Sequence, residues 1–333
     1  MYSEAAVPEF RRAADAVFDG DGPEAAFALL ADGARRGMGG ALITIVDTDG
    51  GGPREPGSHM AVLADGTYCG YVSGGCVEAA IAGEALKVLR SGQDAVLRFG
   101  RGSPFIDVRL PCGGGIDLHV HVNPAPSVVD GALEALSRRE AVVLELAPRA
   151  GTSKLVAYTE RRSGSGWENG VFRRCYRPRT RLVVIGQGPE FEATLRLARG
   201  ADFELAALSP DVHSLRVAAD LGVSARQLIG IADSPALPVD PWTAIVFMFH
   251  DHDRETALLL PALESAAFYV GALGSSATHA MRCARLRDRG VSEAALARIH
   301  GPIGLFGPSR DATSLAVSAL AQIVEERRAL AGP

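Results

Sequence analysis

Through the second half of the chain, short β-branched runs alternate with stretches whose apolar residues recur at helical spacing. In "RLVVIGQGPEFEATLRLARG" an apolar run stops at a glycine turn and passes into an amphipathic segment, the pattern of strand, turn and helix. "FELAAL" reads as a second strand, 211–220 as a helix and 244–249 as a fully buried strand. "AAFYVGALGS" is a further strand ending in glycine, followed by a helix over 275–289. A last helix from Thr313 carries Ala316, Leu320, Ile323 and Val324 on one face. Such alternation predicts a doubly wound parallel sheet.

The first half mixes its periods. Residues 24–36 are amphipathic, with Phe27, Leu30 and Ala34 on one side, and 41–47 form a β-branched strand. After the loop "TDGGGPREPGS", "HMAVLADGTYCGYV" reads as a hairpin turning at Asp65-Gly66. A helix over 76–90, strands at 95–99 and 116–122, a helix over 129–137 and a strand at 141–146 complete a mixed α/β unit. Residues 161–170 read as a loop or hairpin tip. The arginine-rich run 173–181 reads as a connector, solvated or facing an anion. The fold expected is therefore α/β: a mixed α/β domain over 1–172, a linker over 173–181 and a Rossmann-like doubly wound domain over 182–333.

Composition narrows the chemistry. Hydrophobic residues make up 47% and charged ones 22%, ordinary for a globular chain, and the net charge of −5 argues against a nucleic-acid surface. Lys87 and Lys154 are the only lysines, so there is no Gly-x-x-x-x-Gly-Lys phosphate loop. No apolar run has the length of a membrane span, and the first residues lack the pattern of a secretory signal. Five scattered cysteines without a Cys-x-x-Cys pair predict reduced thiols and a cytoplasmic location.

Candidate chemistry gathers in glycine-rich turns. Gly186 and Gly188 stand where a dinucleotide fingerprint belongs, but Phe191 takes the third glycine position and Ser209 the place of the ribose-binding acid. "FHDHD" puts His250, Asp251 and His252 at the C-terminal end of a parallel strand, where open α/β sheets bind ligands; helix capping is the alternative. Gly274 and Ser275 open another helix, in a position suited to an anion. In the first half, Arg54 sits in a stiff glycine- and proline-rich loop. Cys76 follows Gly74 and Gly75 in the predicted first helical turn, with Glu78 two residues on, and such a site lowers a thiol pKa. Cys112 precedes Gly113, Gly114 and Gly115, whose amides suit an anion-binding nest. His119 and His121 share one strand face, read as a partly exposed sheet face with a metal site including nearby Cys112 as the alternative, and no metal ion is assigned.

Seven segments, "GPREPGSHMAV", "GYVSGGCVEAAI", "LPCGGGIDL", "IGQGP", "FHDHD", "YVGALGS" and "GPIGLFG", resemble in collinear order the XdhC/CoxI family of xanthine dehydrogenase accessory factors. The resemblance implies a cytoplasmic maturation factor that binds molybdenum cofactor (molybdopterin) as cargo. It implies help with sulfuration by a cysteine desulfurase, delivery to a molybdenum hydroxylase, and self-association as a homodimer. On that basis Arg54, Gly74, Gly75, Gly113, Gly114, Gly186, Gly188, His252, Gly274 and Ser275 are candidates for holding the anionic cofactor. Cys76 or Cys112 would contact molybdenum or relay sulfur, and Glu78 would bond the pterin or orient its helix. The competing expectations are a nucleotide-dependent enzyme such as an NAD(P)-linked oxidoreductase with His250 or Asp251 as acid–base, a scaffold whose Rossmann domain only supports docking to a partner, and a divergent paralogue with another task.

Overall fold

The structure is a computed structural model that describes residues 23–50, 54–75, 77–104, 110, 113–159, 164–230, 239–249, 252–307 and 309–330. The chain divides after Pro178 into two units.

In the first unit the elements run α1 (Pro23–Arg35), β1 (Gly40–Asp49), β2 (His59–Leu63), β3 (Tyr68–Gly70), α2 (Glu78–Ser91), β4 (Ala95–Gly100), β5 (Gly115–Val122), α3 (Pro126–Ser137), β6 (Val142–Ala147), β7 (Thr152–Ala157), β8 (Gly166–Glu168) and β9 (Val171–Tyr176). They form two antiparallel sheets, ordered β3-β2-β1-β5-β4 and β7-β6-β9-β8. Strand side chains alternate between faces, and both faces of the larger sheet are covered. Ile43, Ile45, Met60, Leu118 and Val120 pack with Ile81, Ala85 and Leu86 of α2. Leu42, Val46 and Leu63 share a second core with Phe27 and Leu30 of α1, Val128 and Ala132 of α3, and Leu144, Phe172 and Tyr176 of the smaller sheet. Burying each large side chain in such a core stabilises the fold by about 1.5–3 kcal/mol.

Two expectations are corrected here. The arginine-rich segment is strand as far as Tyr176, with Cys175 and Tyr176 buried, so it is no free connector from residue 173. Arg173 donates to buried Glu145 at 2.9 Å across the sheet, and Arg174 lies over the Tyr176 ring. The helix predicted from residue 76 begins at Glu78 with Val77 as its N-cap.

The second unit runs β10 (Thr180–Gly186), α4 (Pro189–Arg199), β11 (Phe203–Ser209), α5 (Val212–Asp220), β12 (Ser224–Gln227), β13 (Thr243–Met248), α6 (His252–Glu264), β14 (Tyr269–Ala272), α7 (Ser276–Asp288), α8 (Glu293–Leu296), β15 (Ile299–His300) and α9 (Ala312–Ala329). Its strands are all parallel, ordered β12-β11-β10-β13-β14-β15. Numbered within the unit this is 3-2-1-4-5-6, the doubly wound order. Leu182 and Val184 pack under Phe191 and Leu195 of α4 and Ile323 of α9. Val183 and Ile185 face Leu258 and Leu259 of α6 and Leu286 of α7. The α/β class with a Rossmann-like second half therefore stands as expected.

Candidate functional site

Register in the larger sheet of the first unit decides where its loops emerge. Asp49 of β1 and Gly100 of β4 both lie opposite Gly115 of β5, and β2 and β3 pair so that His59 and Gly70 stand toward the same end. The segments after β1, after β3 and between β4 and β5 all leave that edge. They carry Arg54, then Gly74, Gly75 and Glu78, then Gly113 and Gly114. Cys76 and Cys112 belong to the same segments by sequence and lie outside the described residues.

Glu78 organises the loop before its own helix. The carboxylate is 2% exposed. Its Oε1 accepts from the Ser73 amide and hydroxyl, each at 2.8 Å, and Oε2 accepts from the Val77 amide at 3.2 Å. One buried group thus ties both ends of a five-residue turn (73–77), and a charge-assisted bond of this kind is worth about 1.5–3 kcal/mol. Gly74 and Gly75 are exposed between the tied ends, and no described residue accepts from their amides. Gly75 has φ +98°, a conformation that favours glycine. A Cβ at that position would sit 3.7 Å from Tyr71 Cε1, and the Arg54 guanidinium lies 5.8 Å from the Tyr71 ring centroid. The structure therefore groups Arg54, Tyr71, the two glycines and Glu78. Ser73 and Tyr71 were missed at the sequence level, though the Ser-Gly-Gly-Cys-x-Glu segment contained the tie.

The run Gly113–Gly115 is bound differently from the nest expected. The Gly113 amide donates to the Leu110 carbonyl at 2.9 Å, so it is not free for an anion. Gly114 is buried, and its carbonyl accepts from the Arg101 amide at 2.8 Å. A Cβ at Gly115 would lie 2.6 Å from an Arg98 nitrogen. These glycines let the ends of β4 and β5 close on Arg98 and Arg101. Arg98 in turn bonds Asp117 at 3.0 Å and Asp49 at 3.2 Å.

In the second unit, Gly186 pairs with Met248, so the C-terminal ends of β10 and β13 stand side by side where the strand order reverses. A Cβ at Gly186 would lie 2.3 Å from the Met248 carbonyl oxygen, which requires glycine. The Gly188 amide is taken by Ser214 Oγ at 3.2 Å, and that hydroxyl donates to Asp211 at 2.8 Å. Pro189 removes one more N–H, and Glu190 and Glu192 place negative charge in the first turn of α4. Each of these features disfavours a pyrophosphate. Ser209 is wholly buried at the end of β11. Gly274 precedes Ser275, whose side chain caps α7 by accepting from the Thr278 amide at 3.1 Å. His250 and Asp251 lie outside the described residues. His252 opens α6, with its side chain undescribed.

The expected half-exposed histidine face is overturned. His119 is 0% and His121 4% exposed, with Asp94 against both rings and Ser153 of β7 2.9 Å from His121 Nε2. On the same face the buried His59 contacts Thr44 at 2.9 Å and the Tyr176 hydroxyl. Burial, helped by the charge of Arg174, pulls the His59 pKa down to about 3.

Comparison with known proteins gives two family matches: the XdhC and CoxI family over residues 33–100 and the XdhC Rossmann domain over residues 182–323. The chain is 39% identical over 291 residues to PaoD, a molybdenum cofactor insertion chaperone of Escherichia coli, covering 87% of this chain and 84% of PaoD. It is 23% identical to the uncharacterized Escherichia coli protein YqeB, spanning 86% of this chain and 43% of YqeB. Its fold matches the crystal structure of a xanthine dehydrogenase from Bacillus halodurans with a TM-score of 0.69 at 18% identity, over 91% of this chain and 96% of that one. Among the described residues no helix is long and apolar enough to cross a membrane.

Proposed function

The chain belongs to the XdhC and CoxI family, and from that premise we propose that it carries molybdenum cofactor as cargo for insertion into a molybdenum enzyme. The observation that carries this reading is the turn 73–77, tied from inside by Glu78, with Gly74 and Gly75 exposed beside Tyr71 and Arg54. Molybdopterin presents a phosphate and a sulfur-rich dithiolene. Main-chain amides and a guanidinium are the natural partners of the phosphate.

In this reading Arg54, Gly74 and Gly75 take the phosphate end, and Gly114 supports the neighbouring turn. Cys76 or Cys112 contacts molybdenum or passes sulfur to it. Glu78 is a positioning residue, since its oxygens are already engaged by Ser73 and Val77. Sulfur supply by a cysteine desulfurase, delivery to a molybdenum hydroxylase, and work as a cytoplasmic homodimer extend the same proposal. An NAD(P)-linked reaction gains little support, because Ser214, Glu190 and Glu192 crowd the turn that a dinucleotide needs.

Retention of molybdenum cofactor under anaerobic conditions tests the proposal. Wild-type protein is expected to retain it, and Cys76→Ala or Cys112→Ala to weaken retention at least tenfold with an unchanged circular dichroism spectrum. Wild-type retention in both variants would remove the thiols from the site. Failure of the wild-type protein to bind the cofactor at all would end the reading.

A further inference from the structure

Asp94, His119 and His121 are brought together at the end of the larger sheet away from the glycine turns. The loop between α2 and β4 supplies the carboxylate, and β5 supplies both rings from one face. Asp94 Oδ2 lies 2.9 Å from His119 Nε2 and 2.7 Å from His121 Nδ1. The three ligand-type atoms all lie within 4.8 Å of one another. The side chains are 3%, 0% and 5% exposed for Asp94, His119 and His121. Outer atoms hold two of the groups in place: Asp94 Oδ1 accepts from the Val122 amide at 3.0 Å, and His121 Nε2 stands 2.9 Å from Ser153 Oγ.

The geometry points to a site for a divalent first-row transition metal of the zinc class, with Asp94, His119 and His121 as ligands, clamping the α2–β4 loop to β5 and bracing β7 through Ser153.

Two imidazoles and a carboxylate form a donor set that such ions take readily. Ligands about 2.1 Å from a tetrahedral ion stand about 3.4 Å apart. Asp94 therefore needs to separate by about 0.5 Å from His119 and about 0.7 Å from His121, while the two ring nitrogens, within 4.8 Å of each other, settle at the same spacing. The β1–β5 and β4–β5 ladders fix the backbone beneath the rings, so the site is largely set before an ion arrives.

To bind the ion, each imidazole holds its one proton on the outer nitrogen and turns the lone pair of the nitrogen facing Asp94 to the metal. In His121 that proton is donated to Ser153 Oγ, the outer hydrogen bond that metal-bound histidines commonly make. Among the described residues His119 Nδ1 is buried without a partner, which makes the site weaker than one with both outer bonds. Three protein ligands leave a fourth position for water or a small anion. His119 and His121 follow Gly115 by four and six residues along β5, about 14–20 Å at about 3.4 Å per residue, so this ion is distinct from the cargo.

The test uses the full chain, stripped with chelator and equilibrated with Co²⁺ and then Zn²⁺. One equivalent of Co²⁺ is expected to give visible ligand-field bands that Zn²⁺ abolishes. Saturating Zn²⁺ is expected to raise the thermal midpoint by several degrees. Asp94→Asn should lower affinity at least tenfold, and His119→Gln/His121→Gln should lose the bands. Absence of both bands and midpoint shift in the wild-type protein overturns the site and leaves a closed hydrogen-bond network. So does a near-ultraviolet sulfur-to-metal band, or binding retained in the double histidine variant, since each places the ion elsewhere. The wild-type titration decides even if a variant fails to fold.

Discussion

Both units end a strand in a glycine-bearing turn that opens a helix, and the two turns are built for different ends. Gly74 and Gly75 are exposed and no described residue accepts from their amides, a buried carboxylate holds the turn from within, and Arg54 stands over the neighbouring Tyr71. Around Gly186 and Gly188 one glycine is needed for contact with Met248, and the other gives its amide to Ser214. Two glutamates and a proline then occupy the first turn of α4. Glycine after a strand permits an anion site. Whether one exists depends on where the amides point and which charges surround them.

The largest effect expected from breaking this contrast is at Glu78. Glu78→Ala leaves the Ser73 amide and hydroxyl and the Val77 amide without their acceptor in a buried place. A loss of about 3 kcal/mol is expected in denaturant unfolding, together with loss of cofactor retention. Glu78→Gln, which keeps the volume and one acceptor, should fall between.

Next is the pH dependence set by His59. Its folded pKa of about 3 lies below the ordinary 6.5, so the unfolded chain binds a proton that the folded chain does not. The stability is complete above that ordinary value and is lost as pH falls toward the folded one. Across this window the slope from one such group approaches about 1.4 kcal/mol per pH unit. His59→Gln should flatten the pH dependence of unfolding free energy by that amount between pH about 6 and about 4. An unchanged slope would show that His59 is not held neutral.

The smallest effect belongs to the second turn. Ser214→Ala should cost about 1 kcal/mol by removing a partly buried hydroxyl from Asp211 and Gly188. Cofactor retention should be unchanged, and NADH fluorescence titration should show no binding gained beyond about threefold.

How far the sequence could be read follows from how each element advertises itself. The parallel sheet is plain because Leu182–Ile185 and Ala244–Phe249 are unbroken apolar runs bounded by turn residues. The smaller antiparallel sheet hides, because β7 alternates weakly and β9 carries two adjacent arginines. Arg173 is neutralised by Glu145, a partner from another strand that local pattern cannot reveal. That omission explains the misplaced histidines: with the neighbouring sheet unseen, His119 and His121 alternate with apolar residues as an exposed face would. The helix-orienting role of Glu78 was one of two readings open from the motif, and its bonds to Ser73 and Val77 favour it.

Amide hydrogen exchange of the full chain, with and without molybdenum cofactor, tests the central claim most directly. Protection confined to residues 54–58 and 71–78 and the β4–β5 turn is the expected result. Protection appearing instead at 186–192 and at the start of α6, with 71–78 unchanged, would contradict it.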